Sequence, residues 1–324
     1  MKRNAFLLAL LLLGFHAAKA TDNSTPTPKE EGGKTLRIGY QKYGTLIIVK
    51  ALGHLDSSFS KKGWKVSWFQ FPAGPQLLEG LNAGAIDFGT VGEAPPIFGQ
   101  AAGAPLIYVA NEPPSPKAEA ILVPKDSPIQ TVADLKGKRV ALNKGSNVHY
   151  LLVQALNHAG LKYTDIQTVF LPPADARAAF ESGKVDAWVI WDPFEGVAQK
   201  ATGARVLTDG EGLVANHQFY FASRSFAAAH PHETRAVIQA IQEADKETRE
   251  KPQEVAAILS PEVQIDTATL AFILKRSNFG AVITRAPVIA EQQKIADAFY
   301  SLGLIPKQIA VRDDQWVDAP ETKN

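Results

Sequence analysis

The chain has 324 residues, no cysteine, and 34 basic against 33 acidic side chains, a net charge of +1. Without cysteine there is no disulfide framework, no thiol nucleophile, no thiolate metal site and no lipid anchor on a cleavage-site cysteine. The near-neutral balance gives no field for nucleic acid or anionic lipid, and the length exceeds one ordinary hydrophobic core, so two domains are expected.

Lys2 and Arg3, the apolar run 5–15 and the small-x-small triplet Ala18-Lys19-Ala20 form a cleavable secretory signal over residues 1–20. The run is shorter than the roughly 20 apolar residues that span a bilayer. Losing Lys2, Arg3 and Lys19 turns the charge of +1 into −2. Residues 21–33 (TDNSTPTPKEEGG) have nothing to bury and read as a flexible leader. A soluble exported chain with no lipid anchor is expected in a bacterial periplasm.

From residue 34 a strand–loop–helix rhythm sets in. Residues 36–40 read as a strand, 41–45 as a loop and 46–55 as a buried helix. Residues 65–71 alternate as a strand that Pro72-Ala73-Gly74-Pro75 breaks; 76–83 form a helix closed by Gly84. Strands follow at 86–90 and 106–110, with Pro95 and Pro96 opening a helix between them. The proline-rich segment 111–116 (NEPPSP) marks a domain boundary. The rhythm then repeats, with strands at 120–123, 139–142, 167–171, 187–191, 205–207 and 219–222, and helices at 148–159 and 174–182. After Ser225 the pattern is helical at 233–250, 253–259, 267–275 and 287–302. Alternating elements argue for an α/β fold with parallel-rich sheets. The expected organisation is lobe 1 from 34–115 and 224–324, and lobe 2 from 116–223, joined by a hinge.

Ligands of such sheets sit at the carboxyl ends of strands, against the helices that follow. The loops at 41–45, 91–94, 144–149 and 191–193 qualify, two from each lobe. A helix N-terminus offers unpaired N–H groups and about half a positive charge, which suits an oxyanion. Gly44-Thr45, Thr90-Val91-Gly92 and Gly145-Ser146-Asn147 each place small or hydroxyl residues there. Trp191 fits either a cleft floor or plain core. Asp192 reads foremost as a cap for the helix starting at Pro193. Glu93 and Glu119 fit contacts to a polar group on a ligand. His149 has no His-x3-His or Glu-x-x-His partner spacing, so a structural role outweighs metal binding. No nucleophile elbow, phosphate loop or zinc-protease motif is present, so no catalytic residue, metal or cofactor is assigned.

At these residues the sequence resembles the aliphatic sulfonate-binding proteins of bacterial ABC importers, which group with taurine-, nitrate- and thiamine-precursor-binding proteins. The runs that carry the resemblance include 71–76 (FPAGPQ), 131–137 (TVADLKG), 173–180 (PADARAAF) and 188–193 (WVIWDP). TVADLKG is common among importer-binding proteins, whereas the other three are more specific. The resemblance implies a type II periplasmic-binding fold whose lobes close on the ligand. It implies a protein that passes an organosulfonate to an inner-membrane permease; the mature chain is expected to be a monomer without turnover, and its charge balance gives no expectation of nucleic-acid binding. It further implies that backbone amides near Gly92, Ser146 and Asn147 hold the sulfonate, that Gln41 and Gly44-Thr45 lie nearby, and that Trp191 lines the tail pocket. Tyr43-Gly44-Thr45 and Asn147-Val148 depart from the small residues and serines usual there. The alternatives are another small anion, such as taurine, nitrate or a sulfate ester, or a thiamine-type pyrimidine. A sulfonate does not titrate and no histidine is assigned to hold it, so affinity is expected to change little between roughly pH 5 and pH 9.

Overall fold

The computed structural model describes residues 34–317. The expected signal and leader, residues 1–33, lie outside the described residues. The chain opens with β1 (Lys34–Tyr40), α1 (Thr45–Leu52), α2 (His54–Ser60), β2 (Trp64–Gln70), α3 (Gly74–Asn82), β3 (Phe88–Gly92), α4 (Pro95–Ala101) and β4 (Leu106–Asn111). It continues through β5 (Glu119–Val123), β6 (Arg139–Leu142), α5 (Asn147–His158), β7 (Gln167–Phe170), α6 (Pro173–Glu181), β8 (Ala187–Trp191), α7 (Phe194–Thr202) and β9 (Arg205–Asp209). It closes with β10 (Gln218–Ser223), α8 (Arg224–Ala229), α9 (Pro231–Glu250), α10 (Pro252–Val263), α11 (Thr267–Leu274), β11 (Val282–Ile283) and α12 (Ala286–Ser301).

These strands build two sheets of the same plan. The first runs β11-β4-β10-β3-β1-β2 and the second β7-β6-β8-β5-β9. In the first, β1 is parallel to β2 and β3, and β10 lies antiparallel between β3 and β4. In the second, β6 is parallel to β7 and β8, and β5 lies antiparallel between β8 and β9. In each sheet the antiparallel strand at the interior is the one that arrives from the other sheet, and the first sheet has a second antiparallel strand, β11, at its edge beside β4. The chain crosses between the sheets after β4 and again before β10. Strand β10 thus pairs in the first sheet, although its residues fall in the expected lobe 2 range of 116–223. A local reading assigns a strand to the segment it follows, whereas hydrogen bonding assigns it to the edges it fits.

Side-chain alternation sets the layers. Along β10, Tyr220 and Ala222 join the core beneath α1, α9 and α10, while Phe219 and Phe221 join the core beneath α3, α4 and α12. Along β4, Ile107 and Val109 face the first of these cores and Leu106 and Tyr108 the second. A third core, with Leu122, Leu152 and Trp188, wraps the second sheet. The expected single helix at 46–55 is two helices, because Gly53 takes φ +71° and ends α1. Pro75 stands in the first turn of α3 rather than before it. Among the described residues no single helix is long and apolar enough to cross a membrane.

Candidate functional site

The first sheet contributes a rigid floor. As the chain leaves β1, the Gln41 side chain donates to the Thr90 carbonyl at 3.0 Å. Gln218, at the start of β10, donates to Thr90 Oγ1 at 2.7 Å, and that hydroxyl donates to the Phe219 carbonyl at 3.0 Å. The ends of β1, β3 and β10 are thereby tied together. Gly44 has φ +74°, and a Cβ there would fall 2.0 Å from Gln218 Nε2. Only glycine suits that turn. Thr45 points elsewhere. Its hydroxyl lies 3.1 Å from Glu112 Oε1 and 2.9 Å from Asp245 Oδ1, deep beneath the floor. Burial, followed by the Asp245 charge, pushes Glu112 up to about 8. A proton on Glu112 lets Thr45 accept from one acid and donate to the other.

The second sheet contributes the β6–α5 loop. Ser146 is buried, and its hydroxyl donates to the Asn143 carbonyl at 2.7 Å. His149 braces this loop: its Nδ1 accepts from the Gly145 amide at 3.2 Å, and its Nε2 lies 2.8 Å from the Tyr163 hydroxyl. The first contact assigns the ring proton to Nε2. Burial, then Lys144, lowers His149 to about 4, so the ring is neutral at physiological pH. It stacks on Phe98 of α4 at 6.4 Å. Asn147 Nδ2 donates to Glu119 Oε2 and, at 3.2 Å, to Asn216 Oδ1.

The two sheets meet where Gly92 faces Asn147. A Cβ on Gly92 would lie 2.9 Å from the Asn147 Cβ, so this approach also requires glycine. Two buried carboxyls flank the contact. Glu93 Oε2 accepts from the His217 amide at 3.1 Å, while Glu93 Oε1 and Glu119 Oε1 have no hydrogen-bond partner among the described residues. Burial raises Glu93 to about 7. Burial, then Glu93 itself, raises Glu119 well above the usual carboxylate range. A proton held on either carboxyl makes it a donor rather than an acceptor.

Trp191 and Asp192 end β8. Trp191 is 3% exposed and belongs to the second-sheet core, with Phe194 edge-on at 6.3 Å. It also lines a cavity of about 130 Å³ between the sheets, together with Gln41, Tyr43, Phe71, Pro172 and Phe194. Trp191 is thus a core residue with one side on the cavity. Asp192 accepts from the Gly196 amide at 3.1 Å in the first turn of α7, as a cap does. Its other oxygen receives Arg276 Nε at 2.9 Å, and Arg276 also reaches Glu195 at 2.6 Å. Among the described residues no group of three or more His, Cys, Asp or Glu side chains is placed to hold a metal.

Residues 58–255 match the model of the family described as NMT1/THI5 like. An Escherichia coli (strain K12) protein named for binding aliphatic sulfonates is 47% identical over 89% of this chain and 90% of its own length. The chain belongs to the NMT1/THI5-like family. Solved structures place this family member among proteins of the same architecture. The alkanesulfonate-binding protein SsuA from Xanthomonas axonopodis pv. citri, bound to MOPS, superposes with a TM-score of 0.83 at 43% identity, over 87% of this chain and 98% of the other. The periplasmic aliphatic sulphonate binding protein SsuA from Escherichia coli gives 0.81 at 45% identity, over 90% and 94%.

In this family member the structure joins Gln41 and Trp191 around one cavity, places Gly44 on the neighbouring one and sets Gly92 against Asn147. It turns the Thr45 side chain and the His149 ring into structural networks. Gln218, Asn216 and Arg276 were not anticipated from the sequence, and Phe71 figures there only within the 71–76 run. Phe71 and Gln218 line the cavities, Asn216 bonds Asn147 and Arg276 bonds Asp192, each from a segment distant in the chain.

Proposed function

We propose that this chain is a periplasmic solute-binding protein that captures aliphatic sulfonates and delivers them to an ABC importer. The observation that carries the reading is the 47% identity over 89% of the chain to a relative named for binding aliphatic sulfonates. The cleft chemistry supports it. A sulfonate is a permanent anion with acceptor oxygens only. Helices α1 and α5 start at the cleft without side-chain caps, which leaves the Asn147 amide at the start of α5 as a donor, while the His149 amide bonds the Ser146 carbonyl. The amides of Gly92 and Asn147, with Gln41 beside them, form the head-group end, whereas the Ser146 amide and hydroxyl both donate to the Asn143 carbonyl. Protonated Glu93 and Glu119 add donors where ionised carboxylates would repel. Trp191, Phe71 and Phe194 form an apolar wall for the tail.

The two sheets are the centres of two lobes that close over this ligand, and the two crossings are the pivot. The protein acts as a monomer, releases its ligand unaltered and hands it to a permease in the inner membrane. Calorimetry of the mature chain against ethane- to octanesulfonate, taurine, nitrate, sulfate and a thiamine-type pyrimidine tests the assignment. Alkanesulfonates should bind stoichiometrically and tightest. Preference for nitrate or the pyrimidine would replace the reading with another ligand of the same family.

A further inference from the structure

The cavity that holds Trp191 is not alone. A second cavity, of about 50 Å³, lies beside it against helices α1, α10 and α11. One side of its wall is aliphatic, with Ile47, Ile48, Leu259, Val263 and Leu270, and the other carries Glu112, Asp192, Gln218 and Asn278. The first cavity is walled mainly by rings and prolines. The two share Lys42 and Tyr43 and no other lining residue. Tyr43 belongs to the first sheet's β1–α1 loop, yet it packs on the core of the second sheet. Its backbone is held on both sides. A bridge pairs Gln41 with Tyr43, and the Gly44 turn beside Gln218 admits no other residue. The ring is thus anchored where the two cavities meet.

We propose that Tyr43 is a specificity-determining residue that limits the length of the ligand tail by closing the aromatic cavity and withholding the aliphatic one behind it. The inference rests on the sulfonate reading above and deepens it. Short alkyl and compact cyclic tails end against the Tyr43 ring. A long alkyl tail meets the ring before it reaches the Leu259 and Leu270 wall. The ring forms the partition, and its hydroxyl is dispensable for that purpose. Removing the ring joins the two spaces and exposes aliphatic surface that only a long tail can cover.

The test is calorimetry with ethane-, butane-, hexane- and octanesulfonate on the mature wild-type chain and on Tyr43→Ala, Tyr43→Phe and Tyr43→Trp. In the wild type, affinity should rise with length and then level off or fall. Tyr43→Ala should raise the octane-to-ethane affinity ratio about tenfold, since each added buried methylene then contributes its apolar area. Tyr43→Phe should keep the wild-type profile. Tyr43→Trp, which preserves the aromatic packing should the alanine variant fail to fold, should move the length limit toward shorter tails. An unchanged octane-to-ethane ratio in both Tyr43→Ala and Tyr43→Trp overturns the inference while leaving sulfonate binding intact. A wild-type chain that binds none of the four sulfonates overturns the functional reading itself.

Discussion

Glu93 ties the proton balance of the fold to the charge of the ligand. Burial lifts its carboxyl from 4.5 to about 7, with Glu291 adding to the rise and amide donors from His217 and Asn216 opposing it. The folded chain therefore holds a proton that the unfolded chain releases above pH 4.5. Its contribution to stability is full below that value and is lost as pH rises through about 7. His149 works in the opposite sense. Its folded value near 4 lies below the ordinary 6.5, so stability falls as pH drops from 6.5 toward 4. The same Glu93 proton bears on affinity. Once ionised, Glu93 and its neighbour Glu119 place negative charge beside an anion site. At the proposed anion site this carboxyl would replace the pH-independent affinity expected of an untitratable sulfonate with a specific slope. Ethanesulfonate should bind more weakly at pH 8 than at pH 6, and Glu93→Gln should flatten that slope and narrow the melting-temperature difference between the two pH values. Parallel wild-type and Glu93→Gln titrations would show that the proton resides elsewhere.

Among the elements, α7 depends most on a distant partner. Asp192 and Glu195 are both buried at its start, and Arg276, from the loop after α11, answers both. Arg276→Ala would leave the ionised, buried Asp192 without a countercharge and Glu195 without a hydrogen-bond partner, a loss of about 3 kcal/mol or more at neutral pH. Burial already lifts Asp192 to about 6 and Glu195 to about 9. Without Arg276 both rise further and take up protons, so the loss should be smaller at pH 5 than at pH 8. Urea midpoints at the two pH values measure this, and equal losses would mean that packing against Gly196 and Phe272 is the larger contribution. The Asp192 cap was legible in the sequence because capping is local: an acid before the Pro193-Phe194 turn. Arg276 was not, because 84 residues separate it from Asp192. The same contrast holds elsewhere. The glycines and small hydroxyl residues at 44–45, 92 and 145–146 announced their loops. The antiparallel insertion of β10 and the two-residue strand β11 depend on which edges are free, a property of the assembled sheets. Helix α10 also runs on past its expected end at Leu259, through Pro261 to Val263, because its apolar face is buried under the first sheet's core.

For the molecule as a whole, the two crossings divide the contacts between the sheets into those beside the pivot and those at the rim. Asn278 secures the pivot side, with its amide donating to Ser115 Oγ at 2.8 Å and its side chain to the Pro114 carbonyl at 2.6 Å. Arg276 lies two residues away. At the rim, α5 of the second sheet meets α4 and α12 of the first through rings. His149 stacks on Phe98, and Tyr150 stands edge-on to Phe299 at 5.8 Å. Under the proposed closure of the lobes, rim contacts would form only when the sheets are close, and so would stabilise the closed state. An aromatic pair is worth about 1 kcal/mol beyond its burial, which corresponds to roughly a fivefold change in a rate or equilibrium constant. Phe98→Ala should therefore speed ethanesulfonate release by about that factor or more. Association should change little, because the ligand enters before the rim closes. Stopped-flow measurement of both rates, using the intrinsic fluorescence of Trp191 and the other tryptophans, separates the outcomes. A slower association with unchanged release would place Phe98 on the entry path. Equal rates in variant and wild type would mean that closure is held entirely by the ligand and the pivot.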